Sequence, residues 1–440
     1  MSSAKLLVVD LETGLLRTNL AREGFWAALA CGRWREALAG RCDAALVSAS
    51  VADLANLPMS SATFAAMAAA REAGARVVLV TAQPVAIAQR FAETLDKVDE
   101  AIGDVPAGAG RGEWLASRFA GEGFDYIGAH AGTLAPHARQ ATEPQSPKPS
   151  IQPYLKALRP HQWVKNLLVF LPMIAAHRLD SATVFYSLIA FVAFNLVASS
   201  VYVLNDLLDL SADRAHPRKR NRPMACGAVP LGHAGAMAMA CLAAGFMVAL
   251  FAGATFVAVL CAYTVLTSAY SLRLKREPVI DICVLAALYT LRIVAGSAAT
   301  GIALSVWLLA FAIFIFLSLA AMKRQVELVD NLQAGNKTPA GRGYHVGDLP
   351  IVEMMAVAAG YVAVLVLALY LNAPTVAGLY ARPEILWAVC AVLLYWISRA
   401  VMIAHRGEMH DDPIIFALRD RISHVCGAAI LIALAAASLW

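Results

Sequence analysis

The chain has 440 residues, 60% of them hydrophobic and only 15% charged. A water-soluble globular protein carries about a quarter charged residues, so the composition excludes that class and indicates an integral membrane protein. The net charge of +5 is modest and gives no sign of a nucleic-acid partner; where the charges fall says more than their sum.

Residues 1–138 are Ala-rich but ordinary in charge. The N-terminal apolar run after Lys5 is too short for a signal peptide, which places this part in the cytoplasm. KLLVVD (5–10), RVVLV (76–80) and FDYIG (124–128) predict short buried strands, and 21–38 and 62–73 predict helices. Strands alternating with helices indicate a small α/β domain with a parallel sheet. Residues 139–153 carry four prolines among polar filler and read as a linker. The eight cysteines, Cys42 among them, are scattered without a CxxC pair and read as small buried residues.

From 154 to 440 the pattern is an all-α polytopic bundle. Nine apolar segments approach bilayer length: 162–177, 183–204, 231–250, 254–270, 278–298, 304–322, 350–371, 384–402 and 423–440. With the N-terminus inside, the loops 205–230, 271–277, 323–349 and 403–422 face the cytoplasm and hold nearly all the loop Lys and Arg; the opposite loops hold Arg178 and Arg382. The chain is thus expected in the inner (cytoplasmic) membrane as a multi-pass protein.

Four motifs at these cytoplasmic ends carry chemistry. The first is NDLLDLSAD, followed by HPRKRNRP. Asp206, Asp209 and Asp213 stand at i, i+3 and i+7, on one face of a helix, and are candidate Mg²⁺ ligands with Asn205 beside them. Lys219 and Arg222 would take phosphate oxygens. The second is YSLRLKREPVID, with Tyr270, Lys275 and Asp281, the last able to join the metal shell; Arg292 lies further along the same apolar segment. A cation there either pairs with a carboxylate or binds phosphate. The third is MKRQVE, where Lys323 and Glu327 at i, i+4 share a face, as a surface ion pair or as part of the site. The fourth is RPHQWVKN, with Trp163 as an interfacial anchor and Lys165 either snorkelling or turned into the bundle. Carboxylates and cations converging on one membrane face describe a phosphate-handling site, with one polar phosphorylated substrate and one lipid.

These motifs resemble the UbiA superfamily of intramembrane prenyltransferases over roughly 155–440. NDLLDLSAD fits its NDxxDxxxD, HPRKRNRP the basic tail that follows, and YSLRLKR the YSxxLK-type loop motif. Aromatic prenyltransferases of that family carry a second Asp-rich motif where this chain reads AAMKRQVELVDN. The KRxxE pattern, with RPHQWVKN, is similar to the decaprenyl-phosphate phosphoribosyltransferase-like branch. That resemblance implies Mg²⁺, phosphoribosyl diphosphate as donor and a polyprenyl phosphate as acceptor; membrane lipids surround the site, and a homo-oligomer is compatible with it. It also implies a substrate-binding set of Gln162, Lys165, Asn166, Lys219, Arg222, Tyr270, Lys275, Arg292, Lys323, Arg324, Glu327, Arg342 and Tyr344. The competing reading is an aromatic prenyltransferase using a prenyl diphosphate.

The domain at 1–138 resembles the HAD phosphatases, with a Rossmannoid sheet. VVDLETGLLRT puts Asp10 in the nucleophile place and LVTAQ puts Thr81 in the second motif. Glu12 replaces the second Asp, Thr13 and Gly14 are transposed, Arg111 stands near an expected Lys, and 128–137 contains no acid to hold Mg²⁺. A catalytically silent domain is the expectation.

Overall fold

A computed structural model describes residues 6–40, 51–108, 110–121, 123–144, 150–339, 342–373, 380–409 and 412–439. Lys5, Cys42, residues 145–149 of the expected linker and Trp440 lie outside the described residues. The chain divides into two compact units, Met1–Pro160 with Tyr202–Cys241, and His161–Val201 with Leu242–Trp440.

In the first unit, five strands form a parallel sheet: β1 (Leu6–Asp10), β2 (Arg76–Val80), β3 (Glu100–Ile102), β4 (Phe124–Ile127) and β5 (Gln140–Thr142), in the order β3-β2-β1-β4-β5. The central β1 is apolar until its last residue because it is covered on both faces. Leu7 and Val9 pack with Met67 and Phe91 on one side, Leu6 and Val8 with Phe119 and Phe124 on the other. The three expected strands are present. The two edge strands, β3 and β5, were not foreseen; each has three residues and too little apolar pattern to signal a strand. β5 lies in the stretch expected to be linker. The expected helix 21–38 is two helices, Leu20–Ala30 and Trp34–Leu38, parted at Gly32, whose φ of 75° a side chain would resist.

The same unit holds the acidic motif. The helix Ser181–Leu208 stops, Asp209 takes φ −99°, ψ 15°, and a short helix Leu210–Ala215 follows. Contrary to the expectation of one shared helix face, the three carboxylates are divided: Asp209 sits at the break and Asp213 is carried by the second helix.

Among the described residues, eight helices are long and apolar enough to cross a membrane: Ser181–Leu208, Leu231–Ala252, Ala254–Leu272, Ile280–Thr300, Val306–Gln333, Val346–Leu371, Pro383–His405 and Arg421–Ser438. The protein is a multi-pass membrane protein. The first expected span, 162–177, is built differently, as a 3-10 helix Pro160–Phe170 followed by a short α-helix Leu171–Ala175. Leu250, Phe251 and Val306 are 70%, 74% and 79% exposed, as side chains facing lipid would be.

In the second unit, Val306–Gln333 packs most extensively on Leu349–Leu371. Gly360 allows the approach: a Cβ there would stand 2.6 Å from Ile397 and 2.9 Å from the Ser318 hydroxyl. The Ser318 hydroxyl donates to the Ala356 carbonyl at 2.6 Å. Gly296 backs onto the Val169 carbonyl so closely that any side chain would collide. This contact seats the 3-10 segment, with Lys165 and Asn166, against Ile280–Thr300. The helix Val306–Gln333 runs well past the expected end of its apolar span and carries Lys323, Arg324 and Glu327, which are helical as their i, i+4 spacing implied.

Candidate active-site clusters

In the first unit, one guanidinium gathers the acidic motif. Arg222 Nη1 donates to Asp206 Oδ1 at 3.0 Å and to Asp213 Oδ2 at 2.6 Å. Both carboxylates are buried, and Arg159 pairs with Asp206 as well while lying over the Tyr202 ring. Asp209 is half-buried; its N–H donates to the Asn205 carbonyl at 2.9 Å. Lys219 is exposed on the turn that follows. His216 accepts from the Arg218 and Lys219 N–H groups at 3.2 and 3.4 Å. Its pKa is lowered, by burial and then by Lys219, so the ring stays a neutral acceptor.

The C-terminal end of β1 places Asp10 where open α/β sheets bind ligands. The carboxylate is buried; Oδ1 accepts from Thr13 N–H at 3.0 Å, and Oδ2 accepts from Arg111 Nη1 at 2.7 Å and from the Tyr126 hydroxyl at 3.4 Å. Glu12 accepts from the Thr81 hydroxyl at 2.5 Å, Ala82 N–H at 3.0 Å and Arg111 at 3.2 Å. Burial, then the Asp10 charge, pushes the Tyr126 phenol up, so it remains a donor.

The second unit holds three polar clusters. In the first, Arg324, only 1% exposed, pairs with Asp281 at 2.6 Å and with Glu327. Arg342 reaches Asp281 at 3.5 Å and Glu327 at 3.7 Å, and the Tyr270 hydroxyl donates to Asp281 at 2.8 Å. The Lys275 carbonyl accepts from Arg342 at 3.4 Å. Tyr344 is buried, its oxygen accepting from Val279 N–H at 2.8 Å; burial pushes this phenol up. That bond steadies Val279, whose φ of 66° is strained for a β-branched residue. In the second cluster, Lys165 and Lys323 meet Asp412 Oδ2 at 2.9 and 3.2 Å. Burial opposes ionisation of Asp412, but attraction and hydrogen bonds from Lys323 and Lys165 override it and hold the carboxyl far below its usual range. In the third, buried Arg292 donates to Asn166 at 2.7 Å and to the Tyr263 hydroxyl at 3.2 Å, with its guanidinium 5.1 and 5.3 Å from the Tyr263 and Tyr289 ring centres. Asn166 in turn donates to Asn195 at 2.6 Å. Among the described residues no carboxylate pairs with Arg292.

No group of three His, Cys, Asp or Glu converges on one point among the described residues. The donor set still suits Mg²⁺, which takes one or two carboxylates and completes its shell with water and substrate phosphate. Asp206 and Asp213 are hard oxygen donors, buried, and already gathered on a single cationic nitrogen. Asp281 is placed among arginines instead.

Most of the expected residues fall into these clusters. Lys323 and Glu327 do not pair with each other: Lys323 turns to Asp412, and Glu327 to Arg324 and Arg342. Gln162 is half-buried on the 3-10 helix, where its neighbour Trp163 donates to the Ser199 hydroxyl at 3.0 Å. Sequence reasoning assigned no role to Arg159, Asn195 or Asp412. Asp412 had one signal, its place as an N-cap before Pro413.

Residues 167–419 match the model of the UbiA prenyltransferase family, and residues 4–144 that of the haloacid dehalogenase-like hydrolases. The chain is 36% identical to the uncharacterized protein y4nM of Sinorhizobium fredii, over 82% of this chain and 75% of that protein. It is 39% identical to the decaprenyl-phosphate phosphoribosyltransferase of Mycolicibacterium smegmatis over 201 residues, 44% of this chain and 63% of that protein. Among solved structures, a UbiA homolog from Archaeoglobus fulgidus bound to GPP and Mg²⁺ has a similar fold, with TM-score 0.50 and 17% identity over 64% of this chain and 99% of that chain.

Proposed function

The chain belongs to the UbiA prenyltransferase family and carries an N-terminal HAD-like domain, and from that premise we propose that it transfers 5-phosphoribose from phosphoribosyl diphosphate to a polyprenyl phosphate, releasing diphosphate. The observation that carries this reading is the surplus of positive charge on the second unit. Two lysines, Lys165 and Lys323, share the single carboxylate of Asp412, and Arg292 is buried with neutral partners. A donor with a 5-phosphate as well as a diphosphate, and an acceptor that is itself a phosphate, call for such cations. The similarity to a decaprenyl-phosphate phosphoribosyltransferase supports the same branch.

Asp206 and Asp213, with Asp209, would hold Mg²⁺, which when bound neutralises charge on the departing diphosphate. Arg222 and Lys219 are assigned to diphosphate oxygens. Lys165, Lys323, Arg324 and Arg342 are assigned to the remaining phosphates. Asp281 and Glu327 orient the two guanidinium groups, a role that fits Asp281 better than metal ligation. As the C1–O bond breaks, charge develops on the sugar and the diphosphate, and fixed cations stabilise the latter. The acceptor phosphate is already anionic, so no strong base is required, and displacement inverts C1.

The functional division we assign is a HAD-like domain without phosphatase activity, extended from the expected end at 138 to 144 by β5, then a linker to 153, and 154–440, the transferase. We place it in the inner membrane with nine crossings and its acidic motif in the cytoplasm. The eleven residues of 3-10 helix and five of α-helix at the first crossing rise about 30 Å together, enough for the hydrocarbon core.

Purified protein incubated with radiolabelled phosphoribosyl diphosphate and polyprenyl phosphate should yield lipid-soluble label. Label transferred only from a prenyl diphosphate to an aromatic acid would establish the competing reading instead.

A further inference from the structure

The N-terminal domain has a contact with the acidic motif that its own pocket does not need. Arg214 immediately follows Asp213, and both are buried. Its guanidinium does not turn to Asp213. It forms a two-pronged pair with Glu23, Nη1 to Oε2 at 3.0 Å and Nη2 to Oε1 at 2.7 Å, with both side chains 5% exposed. Its third donor, Nε, reaches the Ala225 carbonyl at 3.1 Å. Arg214 thus ties the start of the 213–225 loop to its end, and Glu23 anchors the tie. Glu23 is fixed in turn by the Thr18 hydroxyl, which donates to Oε1 at 2.6 Å. Further contacts join these parts of the chain: the Ser211 hydroxyl donates to Asp53, and Gly232 lacks a side chain where the Arg22 guanidinium passes.

The loop closed by Arg214 carries Arg222, the residue that gathers Asp206 and Asp213. We infer that Glu23 of the HAD-like domain is a positioning residue for the acidic motif: it neutralises Arg214, keeps that cation off Asp213, and holds Asp213 and Arg222 in register. The domain is then a clamp on the transferase site, whatever its own pocket does. The inference rests on the proposed metal role of the acidic motif.

Full-length protein in detergent, wild type and Glu23→Gln, provides the test. Glutamine keeps the shape and loses the charge. Three readouts are taken: tryptic cleavage in the exposed 218–220 stretch, Mn²⁺ binding followed by electron paramagnetic resonance, and transfer as a function of Mg²⁺. The expected result is cleavage faster by about threefold or more and a weaker Mn²⁺ affinity, because a buried guanidinium losing its anion no longer holds the loop. The Mg²⁺ midpoint for transfer should rise by about fivefold, with kcat at saturating Mg²⁺ within about twofold of wild type. Thr18→Ala, which removes only the hydrogen bond to Glu23, should move the same readouts in the same direction by less, and serves if Glu23→Gln does not fold. Unchanged cleavage and unchanged Mn²⁺ affinity in the folded variant would overturn the clamp. If wild-type protein transfers no phosphoribose, the proposed reaction falls, while the cleavage and Mn²⁺ measurements still decide the role of Glu23.

Discussion

Lys165 and Lys323 place their ammonium groups on the same oxygen atom, Oδ2 of Asp412, at 2.9 and 3.2 Å. One carboxylate cannot neutralise two ammonium ions, so the pair retains a positive charge that an incoming phosphate can complete. Lys323→Ala should therefore raise KM for phosphoribosyl diphosphate by about tenfold or more and lower kcat by no more than that, the pattern of lost ground-state binding. Steady-state kinetics in membranes checks it; a fall in kcat at unchanged KM would move Lys323 from substrate binding to the transition state.

Asp412 should also show in the acid stability of the protein. Its folded-state carboxyl titrates well below the unfolded value. Its contribution is therefore whole above an unfolded pKa of about 3.9 and is lost as the pH falls on towards the folded value. Asp412→Asn should lower the melting temperature at neutral pH; the deficit should hold from about pH 6 down to about 4 and narrow only as the pH drops further, from about 4 towards 2. A deficit that stays constant over this range would mean that the carboxylate charge is not what stabilises the cluster.

Asp213→Asn and Asp209→Asn should each reduce transfer by about 100-fold or more while leaving insertion and yield unchanged, because an amide keeps the shape and loses the charge a divalent ion needs. Turnover near wild type at millimolar Mg²⁺ would remove the metal assignment.

These sites were unequally legible in the sequence. The apolar strings at 6–9 and 77–80 announced strands because burial on both faces leaves no polar interruption, and 124–127 did so by alternation, with Phe124 and Tyr126 buried and Asp125 between them. The acidic motif was visible because its residues are close in sequence and sit at an apolar edge. The break at Asp209 was not, since nothing in the composition of LLDLSAD forbids a continuous helix. The i, i+4 spacing of Lys323 and Glu327 announced a helix there, but its continuation from the apolar span to Gln333 and the partners of its charges were hidden. Charged residues are tolerated in that helix because their partners, Asp281, Arg342 and Asp412, come from distant parts of the chain. Hydropathy also registered 162–177 as apolar without distinguishing a 3-10 helix from an α-helix.

Gly296 should be the least replaceable of the described glycines of the second unit. A methyl group there meets the Val169 carbonyl, which is backbone and cannot rotate away. Gly296→Ala should cost about 1–3 kcal/mol, as overpacked interiors do, and should lower transfer as well, by displacing the segment with Lys165 and Asn166. Thermal unfolding in detergent and activity on the same sample check both; an unaltered melting temperature would show that the segment yields freely.

The HAD-like domain should release no phosphate from a generic phosphate ester, with or without Mg²⁺. Asp10 is committed to Arg111 and Tyr126, and Glu12 to Thr81 and Arg111. Mg²⁺-dependent hydrolysis by the full-length protein, abolished in Asp10→Asn, would make it a two-step enzyme.

The Arg111 contact bears on how such a domain can change over generations. A guanidinium bonded to both Asp10 and Glu12 works as a ratchet. Glu12→Asp alone would shorten the acid and weaken its hold on Arg111 without opening the Asp10 carboxylate to a new partner. Removing Arg111 alone would strand two acids against each other in a buried place, at a cost in folding. A lineage, or an engineer, seeking hydrolytic chemistry here would have to pass through a less stable intermediate. Meanwhile the surface around Glu23 is free to drift towards whatever grips the neighbouring loop best.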